Sequence, residues 1–124
     1  MSRILIVEDE ALIALDLEFA LQSAGFEVAG MEGRLEGALE RLEREAALDA
    51  VVLDGNLGGE SSEPVADRLR ARGTPFVVVS GYDRKQLPWI GDAPLVAKPF
   101  DANRLAEVVR GAMREAHNGS VSGG

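Results

Sequence analysis

The chain has 124 residues, a formal net charge of −8 and a sequence pI near 4.6. Its length fits one domain with a sizeable core, and an apolar content of 46% is normal for a globular protein. The acidic balance argues against nonspecific binding to nucleic acid or to an anionic membrane, both of which need a basic surface. The absence of cysteine excludes disulfides and thiol catalysis. No apolar stretch approaches the roughly 20 residues of a membrane span, and we find no signal peptide, so we expect a cytoplasmic protein.

Five short apolar runs alternate with helical patterns along the chain. The predicted strands are Arg3–Val7, Glu27–Met31, Ala50–Asp54, Phe76–Ser80 and Leu95–Ala97. Continuous apolar strands that alternate with helices indicate a parallel sheet covered on both faces. With right-handed crossovers, this predicts a flavodoxin-like (βα)5 doubly wound α/β fold with strand order 2-1-3-4-5. We expect one domain over residues 1–116, followed at 117–124 by a disordered tail or the start of a linker.

Four stretches have the spacing of α-helices. In the first, over residues 11–24, Leu12, Leu15, Phe19 and Ala20 recur at helical intervals. The other three begin near Leu35, near Ser62 and after Asp101.

The segment between the fourth and fifth strands, residues 81–93, lacks a helical pattern. Pro88 and Gly91 leave room for only about one turn, so we predict a short or irregular, mobile fourth element. Its apolar pair, Trp89-Ile90, is either tucked onto the sheet or offered to a partner, and we favour the tucked position.

Charged side chains stand where three of the predicted strands end. Asp54 closes the third strand and enters a glycine-rich loop, Glu8 and Asp9 follow the first strand, and Lys98 follows the fifth. Because the carboxyl ends of parallel strands line one edge of a sheet, we expect these groups to meet in one crevice. A carboxylate that can attack phosphorus, an acidic pair for a hard cation and a charge-neutralising lysine together predict a phosphorylatable aspartate site.

Each of these residues also has a plainer explanation. The Glu8-Asp9 pair would suit a solvated helix start, Asp54 would suit a turn cap, and Lys98 could be an ordinary surface lysine. However, carboxylates gathered on one sheet edge repel one another, and that cost is expected only where a cation or phosphate binds. We therefore favour the functional interpretation.

These motifs resemble the receiver domain of bacterial two-component response regulators over nearly the whole chain. They occur in that family's order: acidic pair, phosphoacceptor aspartate, Ser80 at the end of an apolar strand, and Lys98-Pro99 with a peptide bond that is usually cis. The segment Pro75–Tyr82 further resembles the signature of a subgroup of single-domain receivers, the FAT GUY regulators. Serine stands there in place of threonine, and Val78-Val79 in place of Phe-Ala.

The resemblance assigns roles to the residues at the strand ends. Asp54 would accept the phosphoryl group, Ser80 would bind a phosphoryl oxygen as the switch, and Lys98 would pair with Asp54 or its phosphoryl group. The implied Mg²⁺ ligands are Glu8, Asp9, Asp54 and the backbone carbonyl of Asn56. Most receivers have an aromatic residue where this chain has Leu95, so we expect Tyr82 to take over by covering the site.

We expect a stand-alone response regulator that is not an enzyme for other substrates. A histidine kinase or histidine phosphotransfer protein would phosphorylate it in a Mg²⁺-dependent phosphorelay, and its output would be binding to an unknown downstream protein. One alternative is a receiver cut from a larger regulator or hybrid kinase. A degenerate receiver that works without phosphorylation is disfavoured by the complete acidic site. A haloacid-dehalogenase phosphatase is disfavoured because it needs a second carboxylate where Asn56 stands.

Overall fold

A five-stranded parallel sheet forms the centre of the fold in the computed structural model, which describes residues 1–122. Numbered in chain order, its strands are β1 Arg3–Val7, β2 Glu27–Glu32, β3 Ala50–Asp54, β4 Phe76–Ser80 and β5 Leu95–Ala97. The order across the sheet is β2-β1-β3-β4-β5. The predicted flavodoxin-like doubly wound fold and its strand order are therefore confirmed.

Helices cover both faces of this sheet. They are α1 Ala11–Ser23, α2 Leu35–Arg44, α3 Glu63–Arg72 and α4 Ala102–Ser122. Helices α1 and α4 pack on one face, whereas α2 and α3 pack on the other. Side chains alternate between the two faces, so Ile4 and Ile6 join the first core cluster while Leu5 and Val7 join the second. Strands β3 and β4 are buried along their whole length, which explains their uninterrupted apolar sequences.

Of the four residues whose spacing predicted helix α1, Ala20 is buried, whereas the other three lie on the exposed side of the helix. Leu12 is 78% exposed, Phe19 is 73% exposed and Leu15 is 51% exposed. The buried side chains of α1 are Ala14, Leu17, Ala20 and Leu21. Two apolar stripes therefore run along this helix at i, i+3 and i+7 spacing, and only the packing on the sheet decides between them.

Two single-turn 3₁₀ helices, Arg84–Gln86 and Pro88–Ile90, replace a regular helix between β4 and β5. We call this segment the 84–90 turns. The expected short, irregular element is confirmed, whereas its mobility stays a prediction. Ile90 is fully buried and Trp89 is partly buried, so this apolar pair is tucked onto the sheet as expected.

Arginine side chains hold the backbone at the end of the 84–90 turns. Arg70 Nη2 donates hydrogen bonds of 2.8 Å to the carbonyls of both Trp89 and Ile90. Arg84 donates through its two terminal nitrogens to the carbonyls of Gly91 and Ala93. These contacts satisfy carbonyls that a regular helix would satisfy internally.

Strand β2 lies at one edge of the sheet and pairs irregularly with β1. Ile4 faces Val28 but Leu5 faces Gly30, so Ala29 is an extra residue on the edge strand. Strand β5, at the other edge, has only three residues. The register of the inner strands is regular, which keeps their carboxyl ends together.

Helix α4 continues to Ser122, past the domain boundary that we expected at residue 116. Residues 117–122, part of the predicted disordered tail, are therefore helical, and residues 123–124 lie outside the described part. Once a helix is nucleated, each added residue gains a backbone hydrogen bond at little further cost. This is why α4 can extend beyond Ala112, which is the last buried core residue among those of α4 up to residue 118.

Candidate functional site

The strand ends bring the predicted polar groups together at one edge of the sheet. Carboxylate oxygens of Glu8, Asp9 and Asp54 all lie within 4.8 Å of one another. Lys98 Nζ lies 2.8 Å from Glu8 Oε1 and 3.3 Å from Asp54 Oδ2. The Lys98 backbone N–H donates to the Ser80 carbonyl at 2.9 Å, which ties the end of β5 to the end of β4. The crevice expected from the sequence is therefore present, with these five residues around it.

Asp54 is buried and its carboxyl group is held by the backbone after it. Asp54 Oδ1 accepts a hydrogen bond from the Asn56 N–H at 3.2 Å. Burial, reinforced by the carboxylate of Glu8, raises the pKa of Asp54 to about 7, although the Asn56 N–H and Lys98 act in the opposite direction. Without a cation, this group therefore holds its proton far more readily than an ordinary aspartate.

The buried Glu8 and the partly buried Lys98 form an ion pair beside Asp54. The Glu8 side chain is fully buried, and the 2.8 Å approach of Lys98 to its Oε1 lacks the angles of a hydrogen bond. Within residues 1–122, Glu8 Oε1 therefore has an ion-pair partner but no hydrogen-bond partner. Burial lowers the pKa of Lys98, but the contacts with Glu8 and Asp54 outweigh it and raise that pKa. The two carboxylates thus favour the positively charged form of Lys98 in the crevice.

Asp9 is fixed by the loop that follows β3. Its Oδ2 accepts a hydrogen bond from the Gly58 N–H at 3.0 Å. Burial raises the pKa of Asp9, but the hydrogen bonds from the Asp54 carboxyl and the Gly58 N–H outweigh it and lower that pKa. Gly58 has φ +60°, in the left-handed region that favours glycine. The conformation of this loop thus contributes, after Asp54, to the lowered pKa of Asp9.

The residues after Asp54 form a small hairpin, with Asn56–Leu57 paired to Glu60–Ser61. The Asn56 side-chain oxygen accepts from the Gly59 N–H at 2.8 Å, so that amide group holds the turn. This leaves the backbone carbonyl of Asn56 as its group for a metal, a role that stays a prediction.

Ser80 is buried, and its Oγ accepts a hydrogen bond from the Tyr82 N–H at 3.0 Å. Tyr82 is 49% exposed and lines a cleft of about 220 Å³ together with Gly55 and Asn56. Both predicted switch residues therefore adjoin the phosphoacceptor loop. That Tyr82 covers the site stays a prediction.

The donor atoms fit a hard divalent cation. Three carboxylates face a single ammonium, that of Lys98, so the cluster has an excess of negative charge. Oxygen ligands of this kind are what Mg²⁺ prefers in proteins. Glu8 Oε1, buried and without a hydrogen-bond partner in the described residues, retains accepting capacity.

Three residues of the site were not predicted from the sequence. Gly58 donates to Asp9, and Ser62 Oγ donates a 2.6 Å hydrogen bond to the Asp54 carbonyl. Leu87 is buried, and its side chain occupies the space beside Gly55. The available signals were weak: a glycine in a turn, a serine at a helix start and one leucine in a polar loop.

The fold and site define a receiver-type acidic crevice, and comparison with known proteins gives its family. The family model described as the response regulator receiver domain matches residues 4–110. The chain therefore belongs to the response regulator receiver domain family of two-component signalling, and the resemblance found in the sequence is confirmed.

Bacterial regulators are among the relatives of this chain. The sensory transduction protein RegX3 of Mycolicibacterium smegmatis is 35% identical over 128 residues, covering 99% of this chain and 55% of that protein. The phyllosphere-induced regulator PhyR of Methylorubrum extorquens is 30% identical over 131 residues, covering 94% of this chain and 48% of that protein. The chain thus spans about half the length of these curated relatives. The structure of SdrG from Sphingomonas melonis Fr1 superposes with a TM-score of 0.76 at 39% identity, covering 91% of this chain and 96% of that one.

Proposed function

We propose that this receiver accepts a phosphoryl group on Asp54 from a histidine kinase or a histidine phosphotransfer protein and signals by binding another protein. The observation that carries this proposal is the buried Asp54 carboxyl, clustered with Glu8 and Asp9 and 3.3 Å from Lys98 Nζ. Such an arrangement concentrates a nucleophile, cation ligands and a positive charge at one point. The chain would catalyse its own phosphorylation and dephosphorylation, without acting on other substrates.

Each residue of the crevice has a separate role in phosphoryl transfer. The ionised Asp54 oxygen attacks phosphorus, a new P–O bond forms, and the P–N bond to the donor imidazole breaks. Lys98 neutralises charge on the phosphoryl oxygens. The Ser80 hydroxyl turns from the Tyr82 N–H and donates to one of those oxygens.

Mg²⁺ is the cofactor that we propose for this site. Its ligands would be Glu8, Asp9, Asp54 and the backbone carbonyl of Asn56, with Glu8 acting directly or through water. When bound, Mg²⁺ supplies positive charge that favours the ionised form of Asp54 and offsets charge on the transferred group. The excess of carboxylates over ammonium groups in the cluster supports this assignment.

The exposed stripe of α1 is the face that we propose for docking the phosphodonor. Leu12, Leu15 and Phe19 lie along it, beside an apolar groove of about 340 Å³. Lys98 lines the same groove, so a protein seated there also reaches the crevice. The helix carries Asp16 and no basic residue. A donor with an apolar helix face flanked by basic residues would complement this surface.

We place this relay in the cytoplasm, where phosphodonor kinases act. Among the helices of residues 1–122, none combines the length and apolar character that a bilayer crossing requires. A second candidate is the receiver part of a larger regulator, because the chain matches only about half of its curated relatives.

Titration with beryllofluoride, a mimic of the aspartyl phosphoryl group, tests the proposed phosphoacceptor. Amide NMR shifts would be followed as Mg²⁺ and beryllofluoride are added to the isotope-labelled protein, with Asp54→Asn as the control. We expect saturable shifts at Asp54, Ser80 and Tyr82 that the variant lacks. A folded protein without any such shifts would instead support a receiver that binds partners independently of phosphorylation.

A further inference from the structure

Leu87 is the residue that joins the two halves of the 84–90 turns. Its N–H donates to the Arg84 carbonyl at 3.2 Å, and its carbonyl accepts from the Ile90 N–H at 3.1 Å. Leu87 is only 5% exposed, although the neighbouring residues Gln86 and Pro88 are exposed. The buried leucine therefore anchors an otherwise superficial segment at its middle.

The Leu87 side chain fills the space that a side chain at position 55 would occupy. A Cβ on Gly55 would lie 3.1 Å from Leu87 Cδ1, 3.2 Å from Leu87 Cδ2 and 3.4 Å from Ser80 Oγ. Gly55 directly follows Asp54, and Ser80 is the proposed phosphoryl-binding hydroxyl. The leucine thus occupies the space beside Gly55, next to the phosphoacceptor, at the point where the switch serine also lies.

We propose that Leu87 is a positioning residue that couples the state of the Asp54 site to the 84–90 turns. This inference rests on the proposed function of Asp54 as the phosphoacceptor. When the Ser80 hydroxyl turns to a phosphoryl oxygen, its hydrogen bond with the Tyr82 N–H is lost. The packing around Gly55 changes with it, and the leucine that fills this space moves. Because both turns bond to the Leu87 backbone, they move together.

The proposed movement of Leu87 changes the protein surface at one cleft. Leu87 lines the cleft of about 220 Å³ that Tyr82 and Trp89 also line. A shift of Leu87 therefore changes the shape of a cleft with two aromatic walls, which a downstream protein can read by inserting an apolar side chain. Arg70 holds the carbonyls of Trp89 and Ile90 and limits the movement at the far end.

A steric double-mutant cycle tests the contact without any phosphoryl group. Gly55→Ala places a methyl group against Leu87, so we expect amide shift changes across residues 84–90 in the metal-free protein. In a Leu87→Ala background the same Gly55→Ala change should leave those amides in place. Gly111→Ala is the matched control, because the nearest atom to its added Cβ lies at 3.9 Å, on Arg114. Equal shift changes at residues 84–90 with and without Leu87 would overturn the proposed contact.

Beryllofluoride titration of Leu87→Ala tests the coupling itself. We expect saturable shifts at Asp54 and Gly55 to persist while the response of residues 84–90 is lost, and Leu87→Met, of similar volume, to restore it. A leucine that only fills the core would leave the response of residues 84–90 as in the wild type, and that result would refute the coupling. If the wild type itself does not respond to beryllofluoride, the proposed phosphoacceptor fails, whereas the steric cycle still decides whether Leu87 senses Gly55.

Discussion

At the residue scale, the chemistry of the site depends on an aspartate that is costly to ionise. Asp54 is only 7% exposed, and its pKa is raised to about 7 by burial and by the neighbouring Glu8. A carboxyl group whose pKa is higher in the folded than in the unfolded chain binds more protons when folded. Between about pH 4 and pH 7, the folded state therefore loses stability as the pH rises, and the full cost is present above pH 7.

Asp54→Asn should therefore stabilise the metal-free protein at alkaline pH. The amide removes the ionisation cost, which is at most about 4 kcal/mol for a shift of roughly three pKa units. Because the variant also loses the contact with Lys98, we expect a gain of about 2 kcal/mol at pH 8 and a gain close to zero near pH 4. Urea unfolding with EDTA at both pH values measures this, and a gain independent of pH would contradict it.

Ser62 supports Asp54 from the backbone side. Its fully buried hydroxyl donates to the Asp54 carbonyl, so Ser62→Ala leaves a buried acceptor unsatisfied. We expect a loss of about 1–3 kcal/mol in the free energy of unfolding. Ser23→Ala, at an exposed serine, provides the control and should change that free energy by less than about 0.5 kcal/mol. Equal losses in the two variants would exclude the supporting role.

At the element scale, strands were predictable where burial leaves only apolar residues. The apolar runs that form β3 and β4 are buried from end to end, so few polar residues interrupt them and their sequences indicate buried strands. The positions of Glu8, Asp54 and Lys98 followed from the rule that parallel strands end on one edge. The face of α1 did not follow, because Leu12-Leu15-Phe19 and Ala14-Leu17-Leu21 have the same spacing and only tertiary packing separates them.

Two leucines of α1 distinguish its faces. Leu17 is 1% exposed, so Leu17→Ala should lower the free energy of unfolding by about 2–5 kcal/mol through lost burial and a cavity. Leu15→Ala, on the exposed stripe, should cost less than about 1 kcal/mol. Chemical denaturation of both variants gives the comparison. The reverse ranking would mean that the helix is rotated relative to the sheet.

Longer-range contacts set the features that local sequence missed. Gly58 and Asp9 are 49 positions apart in the chain, and the sequence around neither residue indicates the hydrogen bond between them. Likewise, the extent of α4 was hidden by weak helix formers in residues 117–122, although an existing helix can be prolonged through them. Contacts between segments that are distant in the chain form only once the sheet is assembled, so they cannot be predicted from local sequence.

At the scale of the whole molecule, cation binding and folding should be linked. A ligand that binds only the folded chain stabilises it by RT ln(1 + [L]/Kd), about 2.7 kcal/mol when its concentration is 100 times Kd. We expect Mg²⁺ to raise the melting temperature, and to do so more at pH 8 than at pH 6, since Asp54 must lose its proton to bind. Thermal melts at increasing Mg²⁺ concentration measure this effect.

Asp9→Asn provides the matched control for that linkage. Asparagine keeps an oxygen that can accept from the Gly58 N–H but removes one negative charge from the acidic cluster. The Mg²⁺-dependent rise in melting temperature should fall sharply in this variant. An undiminished rise would place the bound cation elsewhere on this acidic protein.

The irregular pairing of β2 also bears on how the protein behaves at high concentration. An exposed strand edge can recruit a strand from another molecule and so start fibrous aggregation. Here the extra residue at Ala29 interrupts one edge ladder, and the opposite edge strand has only three residues. Neither border of the sheet offers a long, regular template. Intermolecular strand addition is therefore disfavoured by the irregular edge at β2 and by the short edge at β5.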